Sequence, residues 1–199
     1  MRALPLPTRL VLTLAAVVLG SCASTSAGAP EEPVHPDQLA LEAGVLLTSP
    51  PYRTVHVQWK ERVAQPYVYF EHRGERASFG ATMRSLLEFS VREHVSSVGS
   101  PFALYYPDGS ARACLPVAER PNSAGLSFEV LPKAMVAYAV VAGAYPDAVR
   151  ALPGLRAKMQ TNGWEDRGPV RAIYLVNPAQ AKNYAELATE LQIPWAVTP

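Results

Sequence analysis

The chain has 199 residues, 49% of them hydrophobic and 18% charged, which suits one globular domain with its own core and implies no second one. Its formal net charge is +1, and losing Arg2 and Arg9 with the leader described next leaves 16 basic against 17 acidic residues, a net −1. Nucleic-acid binding needs a basic footprint, so no nucleic-acid partner is expected.

Residues 1–21 carry Arg2 and Arg9, then the apolar run LVLTLAAVVL, then small residues before Cys22. A run of about ten apolar residues is half of the roughly twenty that span a bilayer, so the segment reads as an export signal. Leu19-Gly20-Ser21-Cys22 resembles the lipobox of bacterial lipoproteins, which implies diacylation of Cys22 and cleavage just before it. The implied partner is a membrane, held through several acyl chains at about 0.8 kcal/mol per buried CH₂. Ala23 and Ser24 stand where an aspartate would resemble an inner-membrane retention signal, which points to the outer membrane, facing the periplasm. With Cys22 lipidated, Cys114 has no disulfide partner. Residues 22–52, rich in Ser, Ala, Pro and Glu, read as a flexible tether containing a solvated His35, and 53–199 as the domain.

Within the domain an offset of 69 aligns Tyr69 with Tyr138, Gly74 with Gly143, Leu86 with Leu155 and Gly99 with Gly168. A one-residue slip then aligns Pro101 with Pro169 and Tyr106 with Tyr174, and Leu115-Pro116-Val117 is echoed by Ile193-Pro194-Trp195. In chain order, Thr54–Lys60 and Tyr67–Glu71 are predicted strands. From Phe79 the apolar positions Phe79, Met83, Leu86 and Leu87 predict a helix, with Ser78 as its cap. Phe102–Tyr106 and Ala111–Val117 form a hairpin about Pro107-Asp108-Gly109. In the second half Ala134–Val141 is a strand. Ala148, Ala151, Leu152, Leu155 and Met159 mark a helix that Pro153-Gly154 should break or kink and Asn162-Gly163 should end. Val170–Val176 is a strand, Ala181–Leu187 a short helical turn and Glu190–Val197 the last strand. The expected class is α+β: duplicated strand-helix-strand-strand units forming an antiparallel sheet, with helices on one face and a cleft between the halves.

Ser100-Pro101-Phe102-Ala103-Leu104-Tyr105, Gly143-Ala144-Tyr145, Gly168-Pro169-Val170-Arg171-Ala172-Ile173-Tyr174-Leu175 and Thr189-Glu190-Leu191-Gln192-Ile193-Pro194 occur in this order. Together they resemble the GyrI-like small-molecule-binding domains, also found as effector-binding domains of AraC-type and MerR-type regulators, over roughly Arg53 to Val197. The resemblance implies two strand-helix-strand-strand units around an aromatic-lined cleft. Two hallmarks differ: the family's usual glutamate is Ala172 here, and a frequent histidine is Val141. A carboxylate in an apolar cleft selects cationic ligands, so the alanine removes that basis for selectivity.

The candidate ligand-binding residues are Tyr69, Tyr105, Tyr106, Tyr138, Tyr145, Trp164 and Tyr174, whose rings would wall a cleft and whose polar tips would orient a small apolar or aromatic ligand. A competing reading makes them packing groups with one wet edge, in a structural or partner-binding lipoprotein whose cleft has filled in. A hydrolase of small electrophiles would need its carboxylate from elsewhere, Glu190 or Glu165, and no enzymatic activity is expected. His56, His72 and His94 lack metal-ligand spacing, Cys114 reads as a small strand hydrophobe, and no cofactor or metal is expected. The charged residues Glu71, Arg73, Glu75, Arg76, Glu165, Asp166 and Arg167 read as solvated surface beside turns.

Overall fold

A computed structural model of the chain describes residues 46–176 and 181–197; the expected leader, Cys22, His35 and the tether up to residue 45 lie outside them. Two short strands come first, β1 (Leu47–Thr48) and β2 (Gln58–Arg62). β1 falls inside the expected tether, yet it pairs in parallel with a later strand, so the fold begins earlier than the composition suggested. Only the end of the predicted Thr54–Lys60 strand forms. The His56 amide donates to the Thr48 hydroxyl at 3.1 Å, which diverts the backbone from a ladder.

Period-two alternation then builds β3 (Gln65–His72), which puts Val68 and Phe70 on one face and Tyr67 and Tyr69 on the other. α1 (Phe79–Arg92) buries Phe79, Met83 and Leu86 at helical spacing, while Leu87 stays 37% exposed on its flank. Ser78 precedes it but makes no side-chain cap, because its hydroxyl donates to the Glu75 carbonyl at 2.8 Å. β4 (Phe102–Tyr105) and β5 (Ala111–Pro116) form the hairpin, with Gly109 at φ 87° in the turn.

β6 (Ser127–Leu131) was not anticipated, although its ranks repeat those of β2 at the offset of 69. β7 (Ala134–Ala142) is central to its half: β10 lies along one edge, and β2 and β1 share the other. β7 is thus paired along both of its edges. Next come α2 (Tyr145–Ala148), a 3-10 turn over Val149–Ala151, and α3 (Leu152–Thr161). Pro153 does mark an interruption, but it lies in the first turn of α3, where its missing N–H costs nothing. β8 (Trp164–Asp166), β9 (Val170–Tyr174) and β10 (Ala188–Val197) complete the chain, with a 3-10 turn at Tyr184–Glu186.

The ten-stranded sheet runs β1-β7-β10-β9-β4-β5-β3-β6, with β2 and β8 flanking β7 and β10. All pairings are antiparallel except β1 with β7. The halves β3-α1-β4-β5 and β7-α3-β9-β10 repeat one order about the β4–β9 boundary. Pro116 stands opposite Tyr67, and Pro194 opposite Val136, so the Pro116–Pro194 echo is structural. Edge strands are exchanged: β2 precedes β3 but pairs with β7, and β6 precedes β7 but pairs with β3. α1 and α3 pack on one face through Leu86, Leu155 and Met159, each within 2% of complete burial; burying a side chain of this size stabilises by roughly 1.5–3 kcal/mol.

Candidate ligand-binding site

The halves meet where β4 pairs with β9, in the register Tyr105 to Val170, Ala103 to Ala172 and Phe102 to Ile173. Alternation turns Ala103, Tyr105, Val170, Ala172 and Tyr174 toward the helices, while Phe102, Leu104 and Ile173 face away. Ala103 and Ala172 lie directly opposite one another, and both are buried. Because they offer only methyl groups, Tyr105 and Tyr174 can lean inward from the two strands until their hydroxyls stand 3.5 Å apart. These two tyrosines are separated by 69 residues, so the pair relates equivalent positions of the two halves. The one-residue slip that matched Tyr106 with Tyr174 is thereby corrected: Tyr106 packs on the opposite face.

Burial pushes both phenols up, Tyr174 well above its ordinary value, so they serve as neutral hydrogen-bonding groups. Tyr145, at the start of α2, packs its ring 4.5 Å from that of Tyr174, tilted by 40°, and donates its hydroxyl to the Val176 carbonyl. Burial raises its pKa to about 12. The turn before it needs Gly143: φ is 112°, and an added Cβ would lie 2.9 Å from the Tyr52 hydroxyl, which itself donates to the Ala142 carbonyl at 3.2 Å. On the other side Phe79 approaches Tyr105 at 5.6 Å. Phe79 was read only as a core position of the helix, since its spacing with Met83 carries no hint that it also borders the seam.

The tyrosines nearly fill this seam. A separate cavity of about 50 Å³ lies on the Phe79 side of Tyr105, bordered also by His72, Arg76, Tyr106 and Ser110 and not by Tyr145 or Tyr174. That volume holds a few waters, against roughly 300–1,000 Å³ for a drug-sized ligand.

The other expected site residues lie elsewhere. Tyr69 is on the face away from the helices, where its hydroxyl donates to Glu129 at 3.0 Å and the Arg112 guanidinium sits 4.1 Å above its ring. Tyr106 lies 5.2 Å from the same guanidinium. Burial pushes the Glu129 carboxyl up, but hydrogen bonds from Tyr67, Arg112 and Tyr69 outweigh it and hold the group below its ordinary value. Tyr138 shares that face, donating to Gln58 at 2.5 Å with the Lys60 ammonium 4.6 Å from its ring. Trp164 stacks on Trp195 at 4.5 Å and borders a separate groove of about 360 Å³ with Arg156, Gln160 and Asp166. Three of the seven, Tyr105, Tyr145 and Tyr174, thus come together at the seam; Tyr106 borders the small cavity beside Tyr105 while its ring packs on the other face, and strand parity turns Tyr69 and Tyr138 away.

Neither alternative carboxylate reaches the seam from its own position. Glu190 is paired in register with Ile173, on the face away from the helices, and forms an ion pair with Lys60 at 2.7 Å. Glu165 is tied to Arg167 beside the groove at Trp164. Burial pushes the Cys114 thiol well above its ordinary value, which disfavours the nucleophilic thiolate. His72 is engaged by the Thr82 hydroxyl at 2.8 Å and the Glu75 carbonyl at 3.1 Å. Among the described residues no group of three or more His, Cys, Asp or Glu could hold a metal ion.

Fold and seam place the protein among the duplicated α+β domains. The chain belongs to the GyrI-like small molecule binding domains, whose family model matches residues 56–196. Among solved structures it is similar to the C-terminal domain of EcmrR, at 17% identity and TM-score 0.61, covering 72% of this chain and 99% of that one. It is also similar to EcmrR in a complex with DNA, at 17% identity and TM-score 0.64, over 81% of this chain and 62% of that longer one. A third similar structure is SAV2435 bound to tetraphenylphosphonium, at 13% identity and TM-score 0.52, over 71% of this chain and 94% of that one. At such identities the likeness shows the fold alone. No curated protein matches the chain.

Proposed function

We propose that this small-molecule-binding domain takes a small, largely apolar aromatic ligand at the β4–β9 seam, and that it does so as a lipid-anchored protein of the cell envelope. The observation that carries the binding reading is the meeting of equivalent tyrosines, Tyr105 and Tyr174, above two opposed alanines, with Tyr145 packed against one side. Apolar rings with hydroxyl tips supply both contact area and orientation. Since the rings fill the seam, binding requires them to part, and the tilted Tyr145–Tyr174 contact is the one an aromatic ligand would replace. An aromatic pair contributes about 0.5–1.5 kcal/mol beyond burial, which an aromatic ligand stacking in its place can return. That a protein of the same fold holds tetraphenylphosphonium adds support.

The test is a thermal-shift screen of the full chain against a panel of dyes and drugs. Stabilisation by at least one apolar aromatic compound is expected, lost in Tyr174→Ala and kept in Tyr174→Phe. A panel that shifts nothing would overturn the reading. It would favour instead a partner-binding lipoprotein with a filled cleft, for which the close packing of Tyr105, Tyr145 and Tyr174 speaks.

The anchor rests on Leu19-Gly20-Ser21-Cys22. Among the described residues no helix is long and apolar enough to cross a membrane, so attachment there would depend on lipid. Labelled palmitate should be incorporated by the wild type and not by Cys22→Ser, and label in both would remove the proposal. Ala23 and Ser24 favour the outer membrane, facing the periplasm.

A further inference from the structure

We propose that the seam selects aromatic molecules bearing a negative charge, with Arg76 recognising the anionic group; this rests on the seam being the ligand site. Charge is what distinguishes the surroundings of the tyrosine pair. The two strands contribute Ala103 and Ala172 beneath it, so no carboxylate reaches the rings from the sheet. On the Tyr145 side the carboxylate of Asp147 is paired with Arg150 at 3.2 Å. The hydroxyls of Tyr105 and Tyr174 are neutral.

The charged group beside Tyr105 is Arg76, whose guanidinium lies 5.0 Å from the centre of that ring. Arg112, Arg150 and Arg156 are each tied to a carboxylate, but among the described residues no carboxylate pairs with Arg76. Its five donors are therefore available to an incoming acceptor, and its planar fork matches a carboxylate or sulfonate.

Beside it lies the cavity of about 50 Å³, too small for a ring and adequate for one such group, walled by Arg76, Phe79, Tyr105, Tyr106, His72 and Ser110, the last with its hydroxyl donated to the Asp108 carboxylate at 2.7 Å. A ligand with its ring among the tyrosines and its charge in this cavity satisfies both features together. A cationic ligand of the same shape would meet the guanidinium as a like charge.

The experiment uses three compounds sharing one ring: naphthalene-2-carboxylate, naphthalen-2-ylmethylammonium and the neutral naphthalene-2-methanol. Each is titrated calorimetrically into the full chain at low salt. The carboxylate should bind about tenfold tighter than the ammonium compound, and this preference should shrink as salt is added. Arg76 is exposed, so Arg76→Gln should leave the melting temperature unchanged; it should reduce the preference to about twofold or less and leave the neutral alcohol's affinity as it was. Arg76→Lys should keep the direction of the preference. Equal or tighter binding of the ammonium compound, or a preference that survives Arg76→Gln, overturns the charge reading while the seam stands. Failure of all three compounds to bind overturns the seam reading with it.

Discussion

Glu190 carries a carboxylate with no exposure to solvent, held by the Lys60 ammonium at 2.7 Å and the Gln192 amide at 2.6 Å. Its second oxygen has no hydrogen-bond partner, so the site is already under-satisfied. Lys60 spans the intervening strand over the ring of Tyr138 to reach it. Removing the cation alone leaves a charge in an apolar setting, and Lys60→Met is expected to lower the unfolding free energy by about 3 kcal/mol. Adding Glu190→Leu removes the stranded charge and should restore most of that loss. Urea denaturation of the wild type, the single and the double variant measures both steps; a double variant as unstable as the single one would show that the pair is not the cause. The pairing was illegible in the sequence, since Lys60 and Glu190 are joined through two strand registers that no local pattern encodes. Glu190 was weighed instead as a substitute catalytic acid.

At the scale of elements, α3 shows how packing overrides propensity. Gly154 lies in its first turns, where alanine would ordinarily be favoured by about 1 kcal/mol. A Cβ at that position would come 2.5 Å from the Val55 side chain. Gly154→Ala is therefore expected to destabilise, by roughly 1–3 kcal/mol, with the helix itself kept. Combining it with Val55→Ala should recover stability, as thermal melts would show, and a stabilising Gly154→Ala would mean that Val55 moves aside freely. Helical spacing of Leu152, Leu155 and Met159 made this helix readable, and the same holds for Met83 and Leu86 in α1. The short strands β1 and β8 were not readable. Two or three residues carry no period, and each is a strand only because an edge of β7 or β10 offers it unpaired backbone groups.

For the whole molecule, the exchange of edge strands ties the halves together. β2 and β3 are joined by two residues yet pair with different partners, as do β6 and β7. A fragment ending after β5 would lose β6 from β3 and leave β2 without β7, while exposing the β4–β9 seam. Fragments 46–118 and 119–197, produced separately, should each lack a cooperative thermal transition by circular dichroism and should regain it on mixing. Independent cooperative unfolding of either would contradict this dependence.

The order of strands and helices and the repeat at 69 residues are properties of the sequence by itself, because hydrophobic periodicity is local and each half repeats it. Tertiary structure alone decided which aromatic rings converge. Tyr69 and Tyr138 keep the same offset as Tyr105 and Tyr174, yet the parity of each strand against the helices turns the first pair away from the seam and the second into it. A period of two states that neighbours face opposite ways; which way is inward is settled only when the helices cover one side of the sheet.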